Sequence, residues 1–211
     1  MKFLVLGATG ATGGLFVEQA TAAGHEVVVF VRNPAKLTPR DRLAVVAGDV
    51  RDARALAEAM HGTDAVVSTL GLGKAKDPAN LIADSTRALV EAAEEGGTKR
   101  LVIMSAFGVG ESLPKGSAIL RFLYKGGRAT FADKAAGEQI LTASPLDWTL
   151  VYPVLLTGKP STENVRAIDL AELDRLPGLP RISRADVAAF LLATAVEGSW
   201  SRRTAVLTTG R

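Results

Sequence analysis

The sequence predicts an α/β domain on a doubly wound parallel sheet, strand order 3-2-1-4-5-6 plus an edge strand, with helices on both faces. Three observations predict it. Short β-branched apolar runs alternate with longer alanine-rich stretches along the chain. Most of these runs are continuously apolar, as strands covered on both faces require. A glycine-rich turn joins the first run to the first helical stretch. All 211 residues are read as one domain, long enough to bury a core without staples.

The elements follow in chain order. Strand 3–6 (FLVL) feeds the glycine turn, and a helix over 11–24 follows directly. Strands 26–31 (EVVVFV) and 43–47 (LAVVA) come next. Asp52 stands where an N-cap belongs before a helix over 53–61. Strand 65–68 precedes a helix over 79–96, strand 100–104 a helix over 130–143, and that helix leads to strand 148–152. In the helix over 184–197, Ser183 and Asp186 have capping-box spacing, with Asp where Glu or Gln is usual. Val187, Phe190, Leu191 and Thr194 then fall at i, i+3, i+4 and i+7, one face for docking on the sheet. Strand 204–208 is the additional edge strand. The stretches 71–77 and 105–116 interrupt the alternation at the carboxyl ends of strands, where such sheets bind ligands. The proline- and charge-containing segment 158–180 is expected to cover the substrate side.

Composition narrows the chemistry. Cysteine is absent, which excludes thiol catalysis, disulfides and cysteine–zinc sites. His25 and His61 are the only histidines, so no metal centre is expected. No apolar run reaches the roughly 18 residues of a membrane span, and the start Met1–Leu6 is too short for a signal core. A cytoplasmic protein without membrane partners is the expectation. The net charge of +3 is dispersed, not gathered into runs, which argues against nucleic acid. A modest positive field suits an anionic small ligand.

Gly7-Ala8-Thr9-Gly10-Ala11-Thr12-Gly13 lies between the first strand and the first helix. Gly7 permits the tight turn, Gly10 lets amides approach a pyrophosphate, and Gly13 lets the helix pack closely on the sheet. The helix amino end offers N–H groups and partial positive charge to phosphates, with Thr9 and Thr12 as hydroxyl donors. A glycine triplet alone also fits a structural turn, but with a strand before it and a helix after it a Rossmann dinucleotide site is expected. After the second strand, where NAD-preferring sites place a carboxylate for the ribose 2′-hydroxyl, stands Arg32, with Lys36 one turn on. A guanidinium can bind a 2′-phosphate that a carboxylate would repel, so NADP(H) is expected over NAD(H). After the third strand, Asp49 is placed to meet the adenine amino group and Val50 to cover the ring. Asp49 is also readable as a turn residue.

With Val31-Arg32-Asn33-Pro34, Gly48-Asp49-Val50, Asp133-Lys134-Ala135-Ala136-Gly137-Glu138 and 146–153 (LDWTLVYP), the glycine loop resembles the atypical short-chain dehydrogenase/reductases. Within them it is similar to the NAD(P)-binding branch of NmrA-like proteins and flavin/biliverdin reductases, often labelled NAD-dependent epimerase/dehydratase. The resemblance runs over essentially the whole chain. It implies that Ser68, Thr69, Leu70 and Gly71 line the cofactor and that Ser105 is the active-site hydroxyl. It further implies that Lys134 holds the nicotinamide ribose and that Pro153, Val154 and Leu155 meet the carboxamide. Tyr152 stands where related sequences often carry arginine, as a wall of the nicotinamide pocket or as packing. Lys134 and Glu138, at i and i+4, also fit a surface pair.

One position departs from the pattern. The usual catalytic tyrosine, four residues before Lys134, is Thr130. An aliphatic hydroxyl cannot replace a phenol as proton donor to a carbonyl. Three readings follow. The first is an NADPH-dependent reductase of a conjugated acceptor such as a flavin or quinone, acting on a small molecule as monomer or homodimer. The second is a catalytically silent NADP(H)-binding redox sensor. The third is an epimerase or dehydrogenase that uses Tyr124 as its acid.

Overall fold

The strands form where the β-branched runs stand: β1 (Lys2–Leu6), β2 (Glu26–Val31), β3 (Leu43–Ala47), β4 (Ala65–Ser68), β5 (Arg100–Met104) and β6 (Asp147–Pro153). Three short strands follow, β7 (Leu155–Thr157), β8 (Val165–Asp169) and β9 (Arg181–Ser183), and then β10 (Arg203–Thr209). The helices are α1 (Ala11–Ala22), α2 (Ala53–Met60), α3 (Leu81–Gly96), α4 (Ala118–Tyr124), α5 (Arg128–Ala143) and α6 (Arg184–Glu197). The computed structural model describes residues 1–38, 40–71, 80–98, 100–124 and 128–210. The expected ligand-side stretch at 72–77 and the helix start at Ala79 lie outside the described residues.

Eight strands pair in the order β3-β2-β1-β4-β5-β6-β10-β8. All neighbours are parallel except β8, which runs antiparallel to β10 with Leu207 opposite Ala167. At the centre, Leu4 lies opposite Val28 on one side and Val66 on the other. Every residue of β4 and the last four of β1 are buried, as continuous apolar runs require. The single extra edge strand expected at 204–208 is therefore an interior strand, and β8 forms the rim. β8 escapes a search for buried strands because Arg166 and Asp169 interrupt its short apolar pattern. β3 forms the opposite rim, and its Val45 is 40% exposed although the run reads like a central strand.

The helices divide into two groups flanking the sheet. α1 packs on α6, and α3 packs between α2 and α5. Phe3 meets Phe16 of α1 edge-on at 5.9 Å, a contact within one continuous core. Gly137 explains the close α3–α5 approach: a Cβ there would stand 3.0 Å from Thr86 Oγ1. α4 and the short 3-10 segment Gly110–Lys115 occupy the irregular stretch after β5 and carry no helical signal of their own.

The 158–180 segment does several things. Its β8 completes the sheet rim. Lys115 Nζ donates to the carbonyls of Leu170 and Leu173 at 2.9 and 2.6 Å, and Ser117 Oγ donates to Gly178 at 2.6 Å. These bonds hold residues 170–178 against the chain that follows β5. Upstream, Asp186 holds residues 161–162. Its carboxylate accepts from Ser161 Oγ at 2.6 Å, and from Thr162 N and Oγ1, both at 2.9 Å. This corrects the expected capping box. Ser183 Oγ does accept from Asp186 N at 2.9 Å, but the shorter carboxylate serves residues 161–162. Among the described residues, no helix is long and apolar enough to cross a membrane.

Candidate functional site

The glycine turn after β1 is shaped by contacts that leave no space for side chains. Gly7 has φ +79°, a conformation few other residues adopt. Gly10 N donates to Gly7 O at 2.9 Å, closing the turn. A Cβ on Gly13 would lie 2.3 Å from Gly7 O and 2.5 Å from Thr69 Oγ1. Thr69 is the brace: its hydroxyl donates to Leu6 O and Gly7 O at 3.1 and 3.2 Å. Gly10 is the N-cap of α1, and no side chain caps the helix. Gly10 and Ala11 are exposed, Thr9 is exposed beside them, and Thr12 is buried below. An open helix amino end over a side-chain-free cradle fits a pyrophosphate.

At the ends of β2 and β3 lies a cluster of charges. Arg32 is exposed immediately after β2, and Lys36 ends a short 3-10 turn, Pro34–Lys36, with its side chain outside the described atoms. Gly48 N donates to Val31 O at 3.0 Å, which ties the two strand ends together. Asp49 does not stand alone. Arg51 grips its carboxylate through Nε at 3.0 Å and Nη2 at 2.6 Å. These bonds hold the Asp49 carboxyl down at about 2, and Arg32 adds to the effect by its charge. Arg51 thus brings a second guanidinium to this corner. The sequence reading missed it, although a basic residue two positions after Asp49 was visible. Val50 is buried.

Between α3, α5 and the ends of β4 and β5 lies a cavity of about 20 Å³, enough for roughly one water. Ser68, Leu70, Ser105, Lys134 and Glu138 line it, together with Ser85 and Thr86 of α3. Gly71 follows, exposed. Ser105 is set by its backbone, with N donating to Val151 O at 2.8 Å. Phe107 N reaches Pro153 O at 3.1 Å, and buried Val154 donates to Leu207 O before Leu155 opens β7. Lys134 is only 8% exposed. Burial pushes its ammonium below the usual lysine range, opposed by Glu138 and Asp133. Lys134 and Glu138 are therefore not a surface pair: Lys134 is buried, Glu138 is half-buried, and they act on each other by charge. Tyr152 donates from its hydroxyl to Glu138 Oε2 at 2.5 Å. Burial pushes the Glu138 carboxyl above the usual range, against the Ser105 and Tyr152 hydroxyls and the Lys134 charge.

Tyr124 is half-buried against Phe131, with ring centroids 5.3 Å apart, and against the backbone of Gly108. It is not among the residues lining the cavity. Burial pushes its phenol up. Trp148 packs in the core. Among the described residues, no group of His, Asp or Glu could hold a metal ion.

A family model described as NAD(P)H-binding matches residues 7–197, from the glycine turn to the end of α6. The chain belongs to this NAD(P)H-binding family. Family members and look-alikes fit the same picture. Sterol demethylase protein B of Methylococcus capsulatus is 30% identical over 190 residues, covering 81% of this chain and 57% of that protein. The chain spans about half the length of the curated relatives it matches. The anaerobillin reductase ChuY of Escherichia coli O157:H7 superposes with a TM-score of 0.81 at 24% identity, covering 99% and 97% of the two chains. A short-chain dehydrogenase/reductase of Veillonella parvula in complex with NADP gives 0.81 at 16% identity, over 100% and 94%. At these identities the likeness is one of fold. The chain has the NAD(P)-binding Rossmann-like fold that its glycine turn and strand order predict.

Proposed function

We propose that this family member is an NADPH-dependent reductase of a small conjugated acceptor, such as a flavin or quinone. The observation that carries this reading is the pairing of an open dinucleotide cradle with a buried Ser105–Lys134–Glu138 cluster that lacks the phenol at position 130. Conjugated acceptors take hydride at an electrophilic ring or bridge atom and depend mainly on positioning, so they do not demand an adjoining phenol. The nicotinamide supplies that hydride when bound. Lys134 and Ser105 are the residues proposed to hold its ribose side. Gly7, Gly10 and Gly13, with Thr9, Ala11 and Thr12, are proposed to hold the pyrophosphate, and Ser68 to Gly71 and 152–155 to border the rest.

NADP preference rests on Arg32 and Arg51, with Lys36 following in sequence. Asp49 and Val50 are proposed for the adenine. The name of the reductase neighbour and the NADP complex of another support the reading without deciding acceptor or cofactor. Residues 170–178, held by Lys115 and Ser117, are the part of 158–180 proposed to cover the acceptor.

Titration with NADPH and NADH, then nicotinamide absorbance decay with FMN, a benzoquinone and biliverdin, tests this. Tighter NADPH binding with decay above the free-solution rate is expected. Binding without any decay would overturn the reductase and favour a silent NADP(H) module. Decay only with aldehydes, ketones or keto sugars, lost in Tyr124→Phe, would favour the dehydrogenase reading.

A further inference from the structure

The Glu138 carboxyl presents two different oxygens. Oε2 accepts the 2.5 Å hydrogen bond from Tyr152 of β6. Oε1 is buried and has no hydrogen-bond partner, and the same is true of Ser105 Oγ. Both residues line the cavity of about 20 Å³ beneath the ends of β4 and β5. A carboxylate oxygen in such a place has only the Ser105 hydroxyl, not bonded to it here, and the Lys134 charge to offset its desolvation. A protonated Oε1 becomes a donor that Ser105 Oγ, or one water in the cavity, can accept.

We propose that Glu138 is the proton reservoir of this site, passing its proton from Oε1 through Ser105 Oγ to the reduced acceptor. This rests on the reductase reading. The balance is simple. The acceptor gains a hydride from NADPH and still lacks one proton. Ser105 Oγ, closed to solvent, passes its hydrogen to the acceptor through the one water its cavity has room for, and takes the one from Glu138 Oε1. Glu138 is left as a carboxylate and is reprotonated from water. Tyr152 and Lys134 stabilise that carboxylate, by a hydrogen bond and by charge. Glu138 thus serves a role the chain cannot give to Thr130, and it acts through Ser105 as a positioning residue.

The groups around the carboxyl agree with this assignment. From α5 it faces Lys134, whose own charge burial disfavours. Asp133 is turned away, its carboxylate accepting from Ile82 and Ala83 of α3. From β6 comes Tyr152, and from the end of β5 comes Ser105. Glu111, in the 3-10 segment, is felt at Tyr152 and opposes its ionisation. The α3 side chains at the cavity, Ser85 and Thr86, are uncharged.

Infrared titration of the protein without nucleotide reads the proton directly. A protonated carboxyl band at neutral pH, absent from Glu138→Gln, is expected; a wild-type band set without it overturns the reservoir. With NADPH and whichever of FMN, benzoquinone or biliverdin is reduced, turnover should fall as pH rises through the carboxyl's titration. Glu138→Gln should lose that limb and slow turnover at least tenfold, with NADPH affinity within about twofold of wild type. Tyr152→Phe removes a donor to the carboxylate, so the limb and the infrared band should both move to higher pH. A merely structural role would move the band and leave the turnover limb where it was. If no acceptor is reduced, the reductase reading falls and the relay with it, while the band still reports whether Glu138 holds a proton. If an acceptor is reduced and both variants keep the wild-type pH profile, the relay alone falls.

Discussion

Asp133 caps a helix to which it does not belong: its Oδ2 accepts from the backbone amide of Ile82, in the first turn of α3, at 3.0 Å. Oδ1 accepts from the next amide, Ala83, at 2.9 Å. Two otherwise orphaned helix donors are satisfied from α5, and the next residue along α5 is Lys134. Asp133→Ala should cost about 1–2 kcal/mol, read as a lower urea midpoint at unchanged slope. NADPH affinity should fall with it, because the α5 turn that carries Lys134 loses its anchor on α3. A variant as stable as wild type would show that the cap is dispensable.

Arg32 and Arg51 should separate the two nicotinamide cofactors. Replacing either by Ala is expected to weaken NADPH by about 10–100-fold, the worth of about 1.5–3 kcal/mol for a charge-assisted bond, and to leave NADH nearly unchanged. Equal losses for both cofactors in calorimetric titrations would remove the 2′-phosphate assignment. The same Arg51→Ala protein should show the Asp49 carboxyl rising from about 2 toward the ordinary carboxylate range, followed by carbon NMR. The sign is fixed by the depressed value. The pair contributes above the ordinary range and is lost as pH falls toward about 2, and its exposure keeps that contribution small.

Gly13→Ala should damage binding of both cofactors alike. Its Cβ would meet the carbonyl oxygen of Gly7 at 2.3 Å, and backbone cannot yield as a flexible side chain would. A stability loss of about 1–3 kcal/mol and more than tenfold weaker binding are expected. Preserved NADPH affinity would mean that the cradle is not the phosphate site.

Asp186 should make part of the stability depend on pH. Burial alone would push its carboxyl up, but hydrogen bonds from Ser161, Ser183 and Thr162 outweigh burial and hold it below the ordinary value. A group depressed in the folded state stabilises above the unfolded pKa and loses that contribution as pH falls. Melting temperature should therefore drop toward acid in the wild type and drop less steeply in Asp186→Ala. At neutral pH that variant should be less stable by about 2–3 kcal/mol, since charged acceptors are lost.

Much of this was legible in the chain itself. The seven parallel strands of the main sheet and the turn at Gly7 announce themselves, because continuous β-branched runs and glycines forced by steric crowding leave local signatures. β8 and α4 do not. The first is a short charged strand that exists by pairing with β10, and the second is a single short helix held among loops. The site was legible by type and not by arrangement. Lys134 and Ser105 could be picked out by motif, yet nothing local says that Glu138 lines the same cavity, that Tyr152 turns its hydroxyl onto it, or that Arg51 grips Asp49. Those facts depend on which strands become neighbours.

The exposed rim at β3 has a consequence for how copies of the chain behave together. An apolar strand with an unpaired edge invites another strand to add to it. Here LAVVA is bracketed by Asp41 and Arg42 before it and by Asp49, Arg51 and Asp52 after it. Charges on both flanks of such a strand act as gatekeepers against edge-to-edge association. Under the proposed function, the Asp49–Arg51 corner answers to two demands, nucleotide recognition and colloidal restraint. Changes that retune the first in favour of NADH by stripping charge would loosen the second, and would be expected to surface as self-association at high concentration.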